Sequence, residues 1–162
     1  MQYDYIFIGG SICNLLLASK IASNTNNKIL IIEKDRYLGG AWRIDSDELK
    51  NIDMCGHLIV PKDNTGGELI INYFKKLDLD MNYVNSNNFF YEIESWRSNG
   101  KQGIPLICNN GWTDFNIKIV NYIKKMNNIN IITNYEVKKI MCLDNIFEIT
   151  SNNNDNNDNI FL

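Results

Sequence analysis

The residues whose types and spacing can do chemistry lie near the start of the chain. Gly9 and Gly10 end an apolar run, Tyr3–Ile8, and Ser11 opens a segment that carries Ile12, Leu15, Leu16, Ser19 and Ile21 or Ala22 on one face. Glu33 closes a second apolar run, Ile29–Ile32, about twenty residues past the glycines. This chemistry is recognition rather than bond making. A glycine turn lets backbone N–H groups approach a phosphate, and the N-terminus of the following helix adds partial positive charge directed at it. A carboxylate ending the next strand can accept from a ribose hydroxyl. Together these features describe a site for an adenine dinucleotide.

The pattern departs from G-x-G-x-x-G, because Gly9 fits the first place while Ser11 stands at the second and Asn14 at the third. Ser11 adds a side chain where a pyrophosphate would approach, although its hydroxyl can donate to it. Asn14 is expected to loosen the packing of helix on strand. Taken alone, the turn is equally well explained as an ordinary glycine turn of an α/β protein.

The elements that must position these residues follow from periodicity. Strand, helix (Ser11 to about Ser23) and strand within some thirty residues make a βαβ unit with a parallel pair. Further on, "TGGELIINYFKKLDL" has Thr65 and Glu68 at capping-box spacing, then Leu69, Ile70, Tyr73, Phe74 and Leu77 at helical spacing. Met81–Val84, Phe89–Ile93 and "GIPLIC" read as strands. A helix is expected from Trp112 to Met126 with Trp112, Phe115, Ile119, Tyr122 and Met126 on one stripe, and "INIIT", "YEVKKIMCL" and "NIFEIT" as three closing strands.

Composition narrows the function classes. The chain has 162 residues, 44% of them hydrophobic, and a net charge of −3 from 16 basic and 19 acidic residues spread along it, so no basic face points to nucleic acid. Cys13, Cys55, Cys108 and Cys142 lie far apart, without metal-site or disulfide-framework spacing, as in an intracellular, cytoplasmic protein. No apolar run is long enough to span a membrane. The tract "SNNNDNNDN" has too little apolar surface to order itself and reads as a tail. Asparagine is abundant throughout, which suggests compositional drift rather than selection at each position.

The string "IIEKDRYLGGAW" resembles the second-strand signature of the flavoprotein superfamily that includes amine oxidases, phytoene desaturases and UDP-galactopyranose mutases. Glu33, Arg36, Gly39 and Gly40 match it. The resemblance implies a Rossmann-like α/β fold that binds FAD, with Glu33 on the adenosine ribose and Gly39–Gly40 along the pyrophosphate. "NIDMCGHLI" looks like the stretch beside the flavin ring, with Asp53, Gly56 and His57 matching and Cys55 replacing a small residue. The block around "NYEVKKI" is similar to the family's V-x-x-I motif, with Val137 and Ile140 matching, and the resemblance implies that the Val137 backbone contacts the adenine.

The cofactor-binding residues implied are therefore Gly9, Gly10, Ser11, Glu33, Arg36, Gly39, Gly40, Arg43, His57 and Val137. Arg43 can pair with a phosphate, Trp42 can cover the loop, and Arg36 can hold phosphate or stabilise the loop, a solvated strand-end arginine being its alternative. For His57, positioning beside the flavin is preferred to acid–base catalysis, with a structural histidine nearly as good a reading. Cys55 reads as a small buried hydrophobe, and Phe89, Phe90, Tyr91 and Trp96 as packing before a substrate pocket. Glu33 is expected at an exposed strand end, so that removing it would spare the fold.

The expected organisation is a dinucleotide-binding βαβ at 1–60, a partial cap or substrate region at 61–110, a return to the first domain at 111–150 and an Asn-rich disordered tail at 151–162. Family members are much longer, with a C-terminal segment that closes the flavin site. The resemblance thus implies a truncated or split FAD-dependent oxidoreductase domain, with FAD, a small-molecule substrate and a complementing chain or protein partner. The alternative is a non-catalytic binding protein, since Rab GDP-dissociation inhibitors and escort proteins look alike here.

Overall fold

The computed structural model describes residues 2–42, 59, 64–83, 106–109, 111–143, 146–151 and 160–161. The described chain forms two compact units, one from 1–43 and 119–162 and the other from 44–118.

The first unit is built on a parallel sheet. Strand β1 (Tyr5–Ile8), helix α1 (Ile12–Asn24) and strand β2 (Ile29–Ile32) follow one another, and β1 pairs parallel with β2, Tyr5 opposite Ile29 through Ile8 opposite Ile32. β1 starts two residues later than its apolar run. Asp4 Oδ2 accepts from the Lys28 N–H at 2.7 Å and so takes the place of a ladder bond. A further strand, β5 (Ile129–Ile132), pairs parallel with the other side of β2, giving the order β1-β2-β5.

All four residues of β2 are buried, as expected for a central strand of a parallel sheet, covered on both faces. Leu30 and Ile32 share a cluster with Tyr3 and Ile149, against which Ile6, Ile132, Tyr135 and Val137 pack. Ile29 and Ile31 point the opposite way and are equally buried. Each fully buried side chain of this kind contributes roughly 1.5–3 kcal/mol. β1, by contrast, is an edge among the described strands, with Tyr5 and Ile8 exposed.

On α1 the buried stripe is Ile12, Leu15, Ala18, Ser19 and Ala22, with Leu16 only half-buried. The small residues Ala18, Ser19 and Ala22 let the helix approach its neighbours closely, and the Ser19 hydroxyl donates to the Leu16 carbonyl. Asn128 Nδ2 lies within hydrogen-bonding distance of the carbonyls of Ala22, Thr25 and Asn27, which ties the end of α1 to the start of β5.

Strands β6 (Val137–Leu143), β7 (Ile146–Ser151) and β8 (Ile160–Phe161) form an antiparallel sheet, with an irregularity between Val137 and Lys139. Of the segment expected as a tail, Ser151 closes β7 and Ile160–Phe161 pair with it, two residue types that suit strands. Residues 152–159 lie outside the described residues.

In the second unit, helix α2 (Asn64–Lys75) begins one residue before Thr65, so Thr65 and Glu68 lie within the helix instead of capping it. Strands β3 (Met81–Tyr83) and β4 (Leu106–Cys108) pair antiparallel. Helix α3 (Gly111–Lys124), whose residues up to Lys118 belong to this unit and whose residues from Ile119 belong to the first, buries Trp112, Phe115, Ile119 and Ile123. Ile123, not Tyr122, continues the stripe, because four residues after Ile119 brings the chain back to the same face, and Met126 follows the helix end. Phe115 takes edge-on contacts from Phe74 at 5.0 Å and Trp112 at 5.1 Å, an arrangement that adds about 0.5–1.5 kcal/mol per pair beyond burial. The expected strand at Phe89–Ile93 lies outside the described residues.

Candidate functional site

The site forms where β1 ends, β2 ends and the loop after β2 returns. Gly9 leaves β1 with φ +92°, a conformation that L side chains rarely adopt, and its N–H donates to the Ile32 carbonyl at 2.7 Å. Gly10 follows for a different reason. A Cβ on it would overlap Leu38 Cδ2 and lie 3.3 Å from Glu33 Oε2. Ser11 then caps α1 with extended backbone, and its Oγ accepts from the Asn14 N–H at 3.4 Å.

Glu33 is only 6% exposed, which corrects the expectation of a solvated strand end. Its backbone continues the ladder, with its N–H donating to the Ile132 carbonyl at 2.8 Å and its carbonyl accepting from Tyr135 at 3.0 Å. The side chain turns toward the glycines. Oε2 accepts from the Gly10 N–H at 2.6 Å and Oε1 from the Asp35 N–H at 2.9 Å. Burial is tolerated because both oxygens hold charge-assisted bonds. Each oxygen also keeps a lone pair for another donor.

The loop after β2 comes back onto the turn. The Gly39 N–H donates to the Gly10 carbonyl at 2.7 Å, and Ser11 and Gly39 form a parallel bridge. Gly39 and Gly40 have φ of +117° and +60°, and a Cβ on Gly40 would rest 3.4 Å from Ser11 Cα, an ordinary contact. Leu38 is buried over Gly10.

The structure therefore brings together Gly9, Gly10, Ser11, Glu33, Gly39 and Gly40. Val137 is placed at the start of β6, packed on the Leu30–Ile32 cluster. Arg36 is exposed, its guanidinium 5.1 Å from the centre of the Tyr37 ring. Arg43, Asp53, Cys55, Gly56, His57, Phe89, Phe90, Tyr91 and Trp96 lie outside the described residues. Two residues escape the sequence reading. Leu38 carries no motif signal, and Asn14 registers there only as a missing glycine, whereas its Nδ2 donates to the carbonyls of Ile8 at 3.1 Å and Gly9 at 2.8 Å. Among the described residues no cluster of His, Cys, Asp or Glu could hold a metal ion, and no helix is long and apolar enough to cross a membrane.

The topology and the glycine turn define an α/β protein with a Rossmann-like dinucleotide-binding βαβ. Solved structures share this fold. A flavoprotein/dehydrogenase from Cytophaga hutchinsonii matches with a TM-score of 0.56 and 13% identity over 99% of this chain and 37% of its own. PqsL, a probable FAD-dependent monooxygenase from Pseudomonas aeruginosa, matches with 0.56 and 11% identity over 99% and 40%. The Diels-Alderase PyrE3 of pyrroindomycin biosynthesis matches with 0.58 and 12% identity over 97% and 30%. The chain thus spans well under half the length of each of these proteins. No family model and no curated protein matches the sequence significantly.

Proposed function

We propose that this chain is the FAD-binding portion of a flavin-dependent oxidoreductase resembling the amine oxidases. The observation that carries the reading is the single hydrogen-bonded assembly of Gly9–Ser11, Glu33 and Gly39–Gly40 on a parallel βαβ. The donor set fits the ADP half of the cofactor. The start of α1 offers N–H groups and a positive dipole end to a diphosphate, Ser11 adds a hydroxyl, and Glu33 retains acceptor capacity for ribose hydroxyls. Flavoproteins among the solved structures of the same fold support the choice of FAD. Val137 is assigned to the adenine side, and Arg36, Arg43 and His57 are assigned to the cofactor by the sequence resemblance.

When bound, the flavin supplies hydride acceptance from a small-molecule donor. The described residues of this chain bind and orient the ADP moiety. A second reading, a non-catalytic binding protein on the same fold, draws on Glu33 itself, whose two backbone bonds give the buried acid a structural purpose without any ligand.

Titration of the purified chain with FAD, followed by flavin fluorescence and visible absorption, tests the proposal. The expected result is saturable FAD binding that ADP competes away and FMN does not, because the described site recognises the ADP half. A chain that stays colourless after incubation with FAD, and binds no ADP, refutes the FAD reading and leaves the binding-protein reading.

A further inference from the structure

Asn14 stands where the dinucleotide pattern has its third glycine, and its carboxamide is built into the turn. Nδ2 carries two hydrogens, and the structure gives it two acceptors, the Ile8 carbonyl at 3.1 Å and the Gly9 carbonyl at 2.8 Å. Those acceptors fix the orientation of the amide, since the oxygen in that place would face two other oxygens. The backbone N–H of Asn14 donates in turn to Ser11 Oγ. The end of β1 and the first turn of α1 are thus closed into one loop of hydrogen bonds.

The consequence lies in a single peptide group. The Gly9 carbonyl and the Gly10 N–H belong to the same planar trans unit and point to opposite sides of it. Asn14 holds the carbonyl, and Glu33 Oε2 holds the N–H at 2.6 Å. Glycine at both positions leaves this unit the freedom to rotate about its flanking bonds. Rotation would break both bonds at once.

We propose that Asn14 is a positioning residue which, with Glu33, clamps the Gly9–Gly10 peptide and presets the phosphate-binding turn before a ligand arrives. The link to phosphate rests on the dinucleotide reading above; the clamp itself does not. Asn14 therefore replaces a packing glycine with a polar device, and the departure from the motif has its own function.

The test uses the full chain without ligand and then with ADP. Asn14→Ala removes the donor, and Asn14→Asp keeps the shape but sets carboxylate oxygens against two carbonyls. Both variants should speed hydrogen exchange at the Gly10 amide by about tenfold, equivalent to about 1.4 kcal/mol, while exchange at Leu30 and Ile31 within β2 stays as in the wild type. ADP affinity should fall by about the same factor, with Asn14→Asp the weaker binder because its charge also opposes the diphosphate. Unchanged Gly10 exchange in both variants overturns the clamp. Faster exchange with undiminished ADP affinity overturns the positioning role. A wild-type chain that binds neither ADP nor FAD defeats the dinucleotide reading, and the exchange rates still decide the clamp.

Discussion

Two glycine segments meet at Ser11, and they need glycine for different reasons. In the first, Gly10 has an ordinary backbone but no space, since Leu38 and Glu33 occupy the place of its side chain. In the second, Gly40 has space but a left-handed backbone. Gly10 is therefore held by tertiary packing and a buried acid, whereas Gly40, like Gly9 at φ +92°, is held by its own conformation. A turn of the first kind fails when anything near it changes volume or charge, whereas a turn of the second kind fails only when its own residue changes.

The largest effect expected of this contrast comes from Glu33. Glu33→Ala removes two charge-assisted bonds and leaves the Gly10 N–H buried, which should cost about 2–4 kcal/mol, read as a lower midpoint in urea denaturation. Glu33→Gln keeps one acceptor oxygen and should lose less. A melt unchanged in Glu33→Ala would mean that the first segment does not depend on its neighbours.

Next comes Gly10→Ala, with an expected cost of about 1–3 kcal/mol from crowding. Adding Leu38→Ala makes room for the new methyl, so the double variant should be more stable than the sum of the two single losses predicts. Strict additivity would remove crowding as the cause.

Gly40→Ala should cost about 1–2 kcal/mol through the left-handed backbone alone. Gly40→Asn should cost less despite its larger side chain, because asparagine tolerates that conformation. The reverse order would show that space, not strain, governs the second segment as well.

Ser11→Gly is the smallest, a few tenths of a kcal/mol, because glycine is itself an adequate N-cap. At the sequence level this change restores the motif and is expected to hold or raise FAD affinity. The structure shows Ser11 Oγ engaged with the Asn14 N–H, so a rise in affinity would show that the cap is dispensable to the site.

The sequence made the parallel βαβ legible because strand, glycine turn, helix and second strand are contiguous and strongly periodic, and the pairing of β1 with β2 follows from that order. It made Glu33 legible as an acid at the right place but not its burial, since burial depends on Gly10 and Asp35 turning their N–H groups toward it. The third parallel strand, β5, lies about a hundred residues from its partner, and no local pattern encodes that pairing. Asparagines were the least legible. In a chain so rich in them, Asn14 reads only as a missing third glycine and Asn128 carries no signal of its own, yet one holds a peptide plane and the other gathers three carbonyls at the end of α1. Side-chain amides declare their roles only through partners that the fold assembles.

The side of β1 that has no partner among the described strands bears on how the protein must be handled. Tyr5 and Ile8 are 42% and 45% exposed on a strand with one described neighbour, and the run Tyr5–Ile8 contains no charge and no proline. Such an edge is a template for any extended polypeptide, including another copy of the same segment. Yield and shelf life should therefore fall with concentration faster than melting behaviour would suggest, and a lysine in place of Tyr5 should keep preparations clear without altering the glycine turn at the far end of the strand.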